Sequence, residues 1–257
     1  MSDESIVFDR AAEYYDRTRS LPADVQARVT DVLSAELSGR GACLEPGVGT
    51  GRIALPLHER GIPMVGADLS LPMMARLVEN AGGQVPFPLL RADATCLPFG
   101  DDTFGAAYVC HVFHLIPNWR RAAAEMARVV RRGGVVIVNL GGPPTSMGAE
   151  IFQELTRQAG DQGLRPGATD PADVDDAMSA EAPLREVLVV PNTWSFTLRE
   201  HFAHLEANRS AVTWRLDEDT RIRALAATKS WAEERYGDLD ARREEDGAIT
   251  WRVYEVA

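Results

Sequence analysis

The chain has 257 residues, enough for one large α/β domain or a domain with an insert, and its 45% hydrophobic and 25% charged residues are the balance of a soluble globular protein. The net charge of -11 opposes a nucleic-acid backbone or an anionic membrane as partner. Three cysteines (Cys43, Cys96, Cys110) with no C-x-x-C pair suggest neither a disulfide framework nor a zinc site, and no run approaches the ~18 apolar residues of a membrane span.

In chain order, Val25, Val29, Val32, Leu33 and Leu37 recur at helical spacing over 24–37, and Gly39 and Gly41 end that helix. A short apolar strand then runs to about Glu45. A helix after the glycines stops near Gly61, and a strand from Met64 ends at Asp68. Ser70 caps the next helix, with Pro72 in its first turn. Strands follow at Pro86 to Arg91 and Ala106 to Cys110. Trp119, Ala122, Met126, Val129 and Val130 predict an amphipathic helix closed by Arg131, Arg132 and the Gly133-Gly134 pair. Val135 to Leu140 is wholly apolar, as a strand buried on both faces should be.

This alternation over 42–140 predicts parallel βαβ units. After Gly141-Gly142-Pro143-Pro144 the rhythm changes. Residues 160–183 read as loop with one short helix, and Leu184 to Val190 as a strand. Thr197-Leu198-Arg199-Glu200 is a capping box opening a helix, and a second helix covers roughly 217–235. Ile249 to Val256 alternates like an edge or antiparallel strand. The expectation is one domain over 1–257: N-terminal helices over 1–40, a cofactor-binding core over 41–141, and cap helices with the last strands over 142–257.

The segment Glu45-Pro46-Gly47-Val48-Gly49-Thr50-Gly51 sits at a strand-to-helix turn. Glycines there let the backbone come close to a ligand. Glu45 would repel a pyrophosphate but not a cationic amino acid moiety, which points to S-adenosylmethionine rather than a dinucleotide. Asp68 lies 17 residues beyond Gly51, near the ~20-residue offset of a ribose-binding carboxylate, and Asp93 at the next strand end can accept from an adenine amine.

These features resemble class I S-adenosylmethionine-dependent methyltransferases, in the small-molecule branch that includes the ubiquinone and menaquinone biosynthesis enzymes. The resemblance rests on Phe8, Asp9, Ala12, Tyr15 and Asp16; Glu45 to Gly51; Val65 to Ser70; Arg91 to Ala94 with Leu97-Pro98-Phe99; and Glu125 to Gly134, with Arg132 where proline is usual. It implies a Rossmann-like, doubly wound, seven-stranded, mostly parallel sheet with an antiparallel last strand and helical cap insertions. It also implies a cofactor set of Tyr15, Arg19, Glu45, Gly47, Gly49, Gly51, Asp68, Leu69, Met73, Asp93, Ala94 and Cys110. Tyr14 or Tyr15 could close over the sulfonium by cation–π attraction, worth about 0.5–2 kcal/mol, and Arg19 could pair with the methionyl carboxylate.

The expected catalytic residues are His111, His114 and Tyr15; the two histidines follow the fourth strand, where an acceptor should meet the methyl group. One of them is expected to take a proton from an O–H or N–H acceptor, with His111 favoured and His114 alternatively a structural residue of the turn. No metal is expected. Phe113, Trp119, Trp194, Phe196, Phe202 and Trp214 could line the acceptor pocket or belong to cores. The expected reaction is in-line transfer of the methyl group from S-adenosylmethionine to an O, N or C nucleophile of a small-molecule acceptor, with the product S-adenosylhomocysteine, by a cytoplasmic monomer or homodimer that needs neither nucleic acid nor membrane. Three rival readings remain: a nicotinamide-dependent oxidoreductase, a cofactor-binding partner protein without activity, and an RNA methyltransferase.

Overall fold

The computed structural model describes residues 5–141, 145–160 and 164–257. Met1–Glu4, Gly142–Pro144 and the 161–163 part of the expected loop lie outside the described residues. The chain divides into two compact units. In their described parts, the first takes segments 1–140, 167–190 and 250–257, and the second takes 141–166 and 191–249.

The first unit opens with a single 3-10 turn, Asp9–Ala11, then α1 (Tyr15–Arg19) and α2 (Ala23–Leu37). Strand and helix then alternate: β1 (Cys43–Pro46), α3 (Ala54–Glu59), β2 (Met64–Asp68), α4 (Leu71–Asn80), β3 (Leu89–Arg91), β4 (Phe104–Cys110), α5 (Trp119–Val129) and β5 (Val130–Asn139). After α6 (Ser146–Gln158) and α7 (Pro171–Met178) come β6 (Leu184–Phe196), α8 (Leu198–Glu206), α9 (Glu218–Tyr236) and β7 (Arg243–Glu255). The seven strands lie in the order β3-β2-β1-β4-β5-β7-β6. β1 pairs in parallel with β2 and β4, β2 with β3, and β4 with β5. β7 runs antiparallel to β5, with Val136 opposite Tyr254 and Val138 opposite Arg252. The expected seven-stranded, doubly wound sheet is therefore present.

Burial follows the sequence pattern. All of β4 is buried, and β5 is buried from Val135 to Asn139, because helices cover both faces of the sheet. Leu44, Val109, Val136, Val138, Met126 and Tyr254 belong to the core between the sheet and its helices. Phe113 and Trp119 are part of that core, so they pack rather than line a pocket.

Some elements differ from expectation. β3 is only Leu89–Arg91, because Pro86 and Pro88 have no N–H to give a ladder. α5 ends with Val130 already extended, and the Gly133-Gly134 pair falls inside β5 instead of closing the helix. Between Phe104↔Val130 and Ala106↔Val135 the register shifts, so residues 131–134 are accommodated as a bulge. α6 was not expected at all.

In the second unit, Ile151, Leu155, Leu198, Phe202, Leu205, Leu225 and Ala232 form a separate core, with Phe196 packed against it. The capping box forms as expected: Thr197 Oγ1 accepts from the Glu200 N–H, and the Glu200 carboxylate accepts from the Thr197 N–H. No helix of the described residues is long and apolar enough to cross a membrane.

Candidate active site

Strand order reverses between β1 and β4. Ligands of open α/β sheets bind beyond the carboxyl ends of the strands at such a point. A cleft opens there with about 650 Å³ of free space, mouth included. Its lining includes Tyr15, Gly47, Gly49, Asp68, Leu69, Met73, Asp93, Ala94, Cys110 and His111. Arg19, Glu45, Gly51 and His114, from the same expected set, are not among its lining residues.

The glycine turn carries the first wall. Gly47 (φ 72°) and Gly49 (φ 53°) both sit in the left-handed region, where a side chain is strained. A Cβ on Gly47 would lie 2.4 Å from a Val112 methyl group. The turn is pinned by Asp68: Gly49 N–H donates to its Oδ2 and Ser70 N–H to its Oδ1, each at 2.8 Å. Burial pushes the Asp68 carboxyl above its usual range, against the lowering effect of those bonds. Each oxygen keeps a lone pair for a further donor.

Asp93 closes the loop after β3. Its Oδ1 accepts from the Thr95 N–H and hydroxyl, both at 2.8 Å, and among the described residues Oδ2 has no such bond. The loop that follows is held from behind by α5. Glu125 Oε2 accepts from the Leu97 N–H, while Arg128 pairs with both Glu125 oxygens and donates to the Phe99 and Leu97 carbonyls. The Glu-x-x-Arg pattern is thus a staple that fixes the loop carrying Asp93.

Glu45 is 3% exposed and lies under the turn, accepting from Tyr108 Oη at 2.6 Å. Burial raises its carboxyl to about 8, although the Tyr108 bond and nearby Arg52 act the other way. Below about pH 4.5 the group is protonated in both folded and unfolded chains. As pH rises toward 8 the unfolded chain alone gives up its proton, so native stability falls and then levels off. Urea unfolding of the cofactor-free protein between pH 5 and 9 should show wild type losing stability against Glu45→Gln, on the order of a few kcal/mol in total. A pH-independent difference would mean that Glu45 is ionised throughout.

The two histidines part company. His111 lines the cleft with φ 59°, a left-handed backbone that costs on the order of 1–3 kcal/mol for a non-glycine residue, and its N–H donates to the Asn139 carbonyl at 2.9 Å. His114 sits in a 3-10 turn with Nδ1 3.1 Å from the Leu140 carbonyl, while its own carbonyl accepts from Gly167 N–H. Their ring centroids are 6.5 Å apart.

Several lining residues had no functional signal in the sequence: Ser5, Ile6 and Val7, then Val112, Leu115 and Ile116. The first three are held against the last group by one backbone bond, Ile6 N–H to the Leu115 carbonyl at 3.0 Å. Asp16 adds a second tie, accepting from Thr50 Oγ1 at 2.5 Å and Asn80 Nδ2 at 3.0 Å.

Strand-end carboxylates beside a glycine turn, at the reversal point of such a sheet, are the arrangement in which open α/β proteins place a ligand cleft. A model of the methyltransferase domain matches residues 44–138. Phosphatidylethanolamine N-methyltransferase of Cereibacter sphaeroides is 40% identical over 111 residues, 41% of this chain and 54% of that protein, so the chain spans about half the length of that relative. Demethylmenaquinone methyltransferase of Thermus thermophilus is 37% identical over 151 residues, 56% of this chain and 67% of the relative. A candidate methyltransferase from Bacillus halodurans C-125 superposes with a TM-score of 0.63 at 16% identity, over 90% of this chain and 97% of that one, a likeness of fold alone. The chain belongs to the S-adenosylmethionine-dependent methyltransferases, enzymes of methyl transfer.

Proposed function

We propose that the cleft binds S-adenosylmethionine and that the enzyme methylates a small, largely apolar acceptor through an ionisable O–H or N–H. The observation that supports this most is the gathering of Gly47, Gly49, Asp68, Asp93 and His111 around one cleft. The residues fit the cofactor. The Gly47 cradle is one a Cβ would fill, Asp68 retains acceptor capacity for ribose hydroxyls, and Asp93 has Oδ2 available for an exocyclic amine. When bound, the cofactor supplies an electrophilic methyl group on a sulfonium, so no covalent intermediate on the protein is needed.

The protein's share is positioning, proton removal and exclusion of water. Tyr15 presents an aromatic side chain to the cleft, held edge-on against Phe8 at 5.9 Å. Val7, Phe8, Val112, Leu115 and Ile116 form an apolar wall beside His111, which suits an acceptor with little charge. His111 would take the proton that the acceptor O–H or N–H gives up. The net charge of -11 supports a dissolved small molecule over RNA, and we place the reaction in the cytoplasm.

Calorimetry with S-adenosylmethionine, S-adenosylhomocysteine and NAD tests the cofactor. The first two should bind and the third should not. Incubation of a metabolite extract with cofactor labelled in its methyl group should then yield a labelled product. Absence of heat with both sulfur cofactors overturns the assignment; binding without any labelled product would favour a partner protein that holds the cofactor without turning it over.

A further inference from the structure

The turn that carries His111 is fastened to the end of β5 at Asn139 and Leu140. Cys110 and Asn139 are the last pair of the β4–β5 ladder, and the Asn139 carbonyl accepts from the His111 N–H at 2.9 Å just where the chain turns away at φ 59°. The Leu140 carbonyl lies 3.1 Å from His114 Nδ1. A third fastening is the Asn139 side chain, which is 5% exposed. Its Nδ2 donates to the Thr250 carbonyl of β7 at 2.7 Å, and an acceptor there fixes which way the amide points. Oδ1 therefore faces the other way, 3.7 Å from the Cys110 thiol that donates to it. The same sulfur accepts from Arg52 Nη2 at 3.3 Å.

Asparagine is a poor strand residue, and here it ends the apolar run Val135–Val138 at a buried position. A valine would continue that run but would tie nothing to Cys110 or Thr250. A left-handed backbone at a non-glycine residue persists only where its surroundings over-determine it. Resting on the reading of His111 as the base, we propose that Asn139 is the positioning residue for its imidazole. The amide locks Cys110 to β7, and the Asn139 carbonyl holds the next N–H, so the direction in which the His111 ring leaves the strand is set from one residue. Asn139 is not among the lining residues of the cleft, so it acts through His111. Misplacing a reacting group by about 1 Å costs on the order of 10²-fold in rate.

The test measures label transfer from methyl-labelled S-adenosylmethionine to a metabolite extract at limiting dilution, where the rate follows kcat/KM. Asn139→Ala should lower that rate roughly 10- to 100-fold and leave S-adenosylhomocysteine affinity, by calorimetry, within about threefold. On a His111→Ala background the same substitution should cost less than about threefold, because the group it positions is already gone. Added imidazole should rescue His111→Ala and the double variant to the same rate. Asn139→Asp keeps the size of the side chain but loses the donor to Thr250; it should give the same pattern and serves if the alanine variant does not fold. Without any acceptor, the His111 ring resonances, identified by their loss in His111→Ala, should shift in Asn139→Ala while those of His58 stay. Equal losses with and without His111, or unmoved His111 resonances, overturn the proposal. Full label transfer by His111→Ala removes the base itself, and absence of label transfer by wild type removes the methyl-transfer reading; each is distinct from a failure at Asn139, and each takes the positioning role with it.

Discussion

Asp68→Ala should weaken S-adenosylhomocysteine binding by roughly 10²–10³-fold, or about 3–4 kcal/mol, measured by calorimetry. Two losses combine. The carboxylate that would accept from the ribose hydroxyls is gone, and hydrogen bonds to a charged acceptor are worth more than neutral ones. The Gly49 and Ser70 N–H groups also lose their 2.8 Å acceptor, so the glycine turn slackens where it must be closest to the ligand. Asp68→Asn retains one acceptor oxygen and should fall between. Because the turn is held from one residue, the alanine variant should also unfold more easily, by about 1–2 kcal/mol in urea. A change in affinity below about threefold would remove Asp68 from the ribose-binding role.

His111→Ala should lower kcat/KM for the true acceptor by about 10²–10⁴-fold, the usual range for loss of a general base, while leaving cofactor affinity within about threefold. Added imidazole should restore part of the rate, which a merely structural defect would not show. The backbone gives an independent check. At φ 59° a Cβ is unfavourable, so His111→Gly should be more stable than His111→Ala by about 1 kcal/mol. Retention of the strained histidine at the cleft is what a functional demand on its imidazole would produce. Full turnover in His111→Ala would take it out of the mechanism.

The sheet was legible because its signals are local. An apolar run such as Val135–Val138 and the capping serine at Ser70 report burial and helix starts within a few residues. α6 escaped because its buried stripe includes Gly148 and Glu154 beside Ile151 and Leu155, so the apolar period is broken by a glycine and by a carboxylate that pairs with Arg157. The bulge at 131–134 escaped for another reason. Glycines after a helix read as a stop, and only the pairing of β4 with β5 shows that they serve a strand. At the cleft, acidic residues at strand ends announce themselves by type and position. Arg52 does not. The surroundings of an arginine depend on what folds beside it, and Arg52 donates to Cys110, more than fifty residues away.

Part of the cleft wall lies outside the scaffold of strands and helices. Residues 5–7 border the chamber, yet they come before every strand and helix and are tethered through the Ile6 amide. Substitutions there would alter the cleft wall without touching the β-ladder, the glycine turn, Asp68 or Asp93.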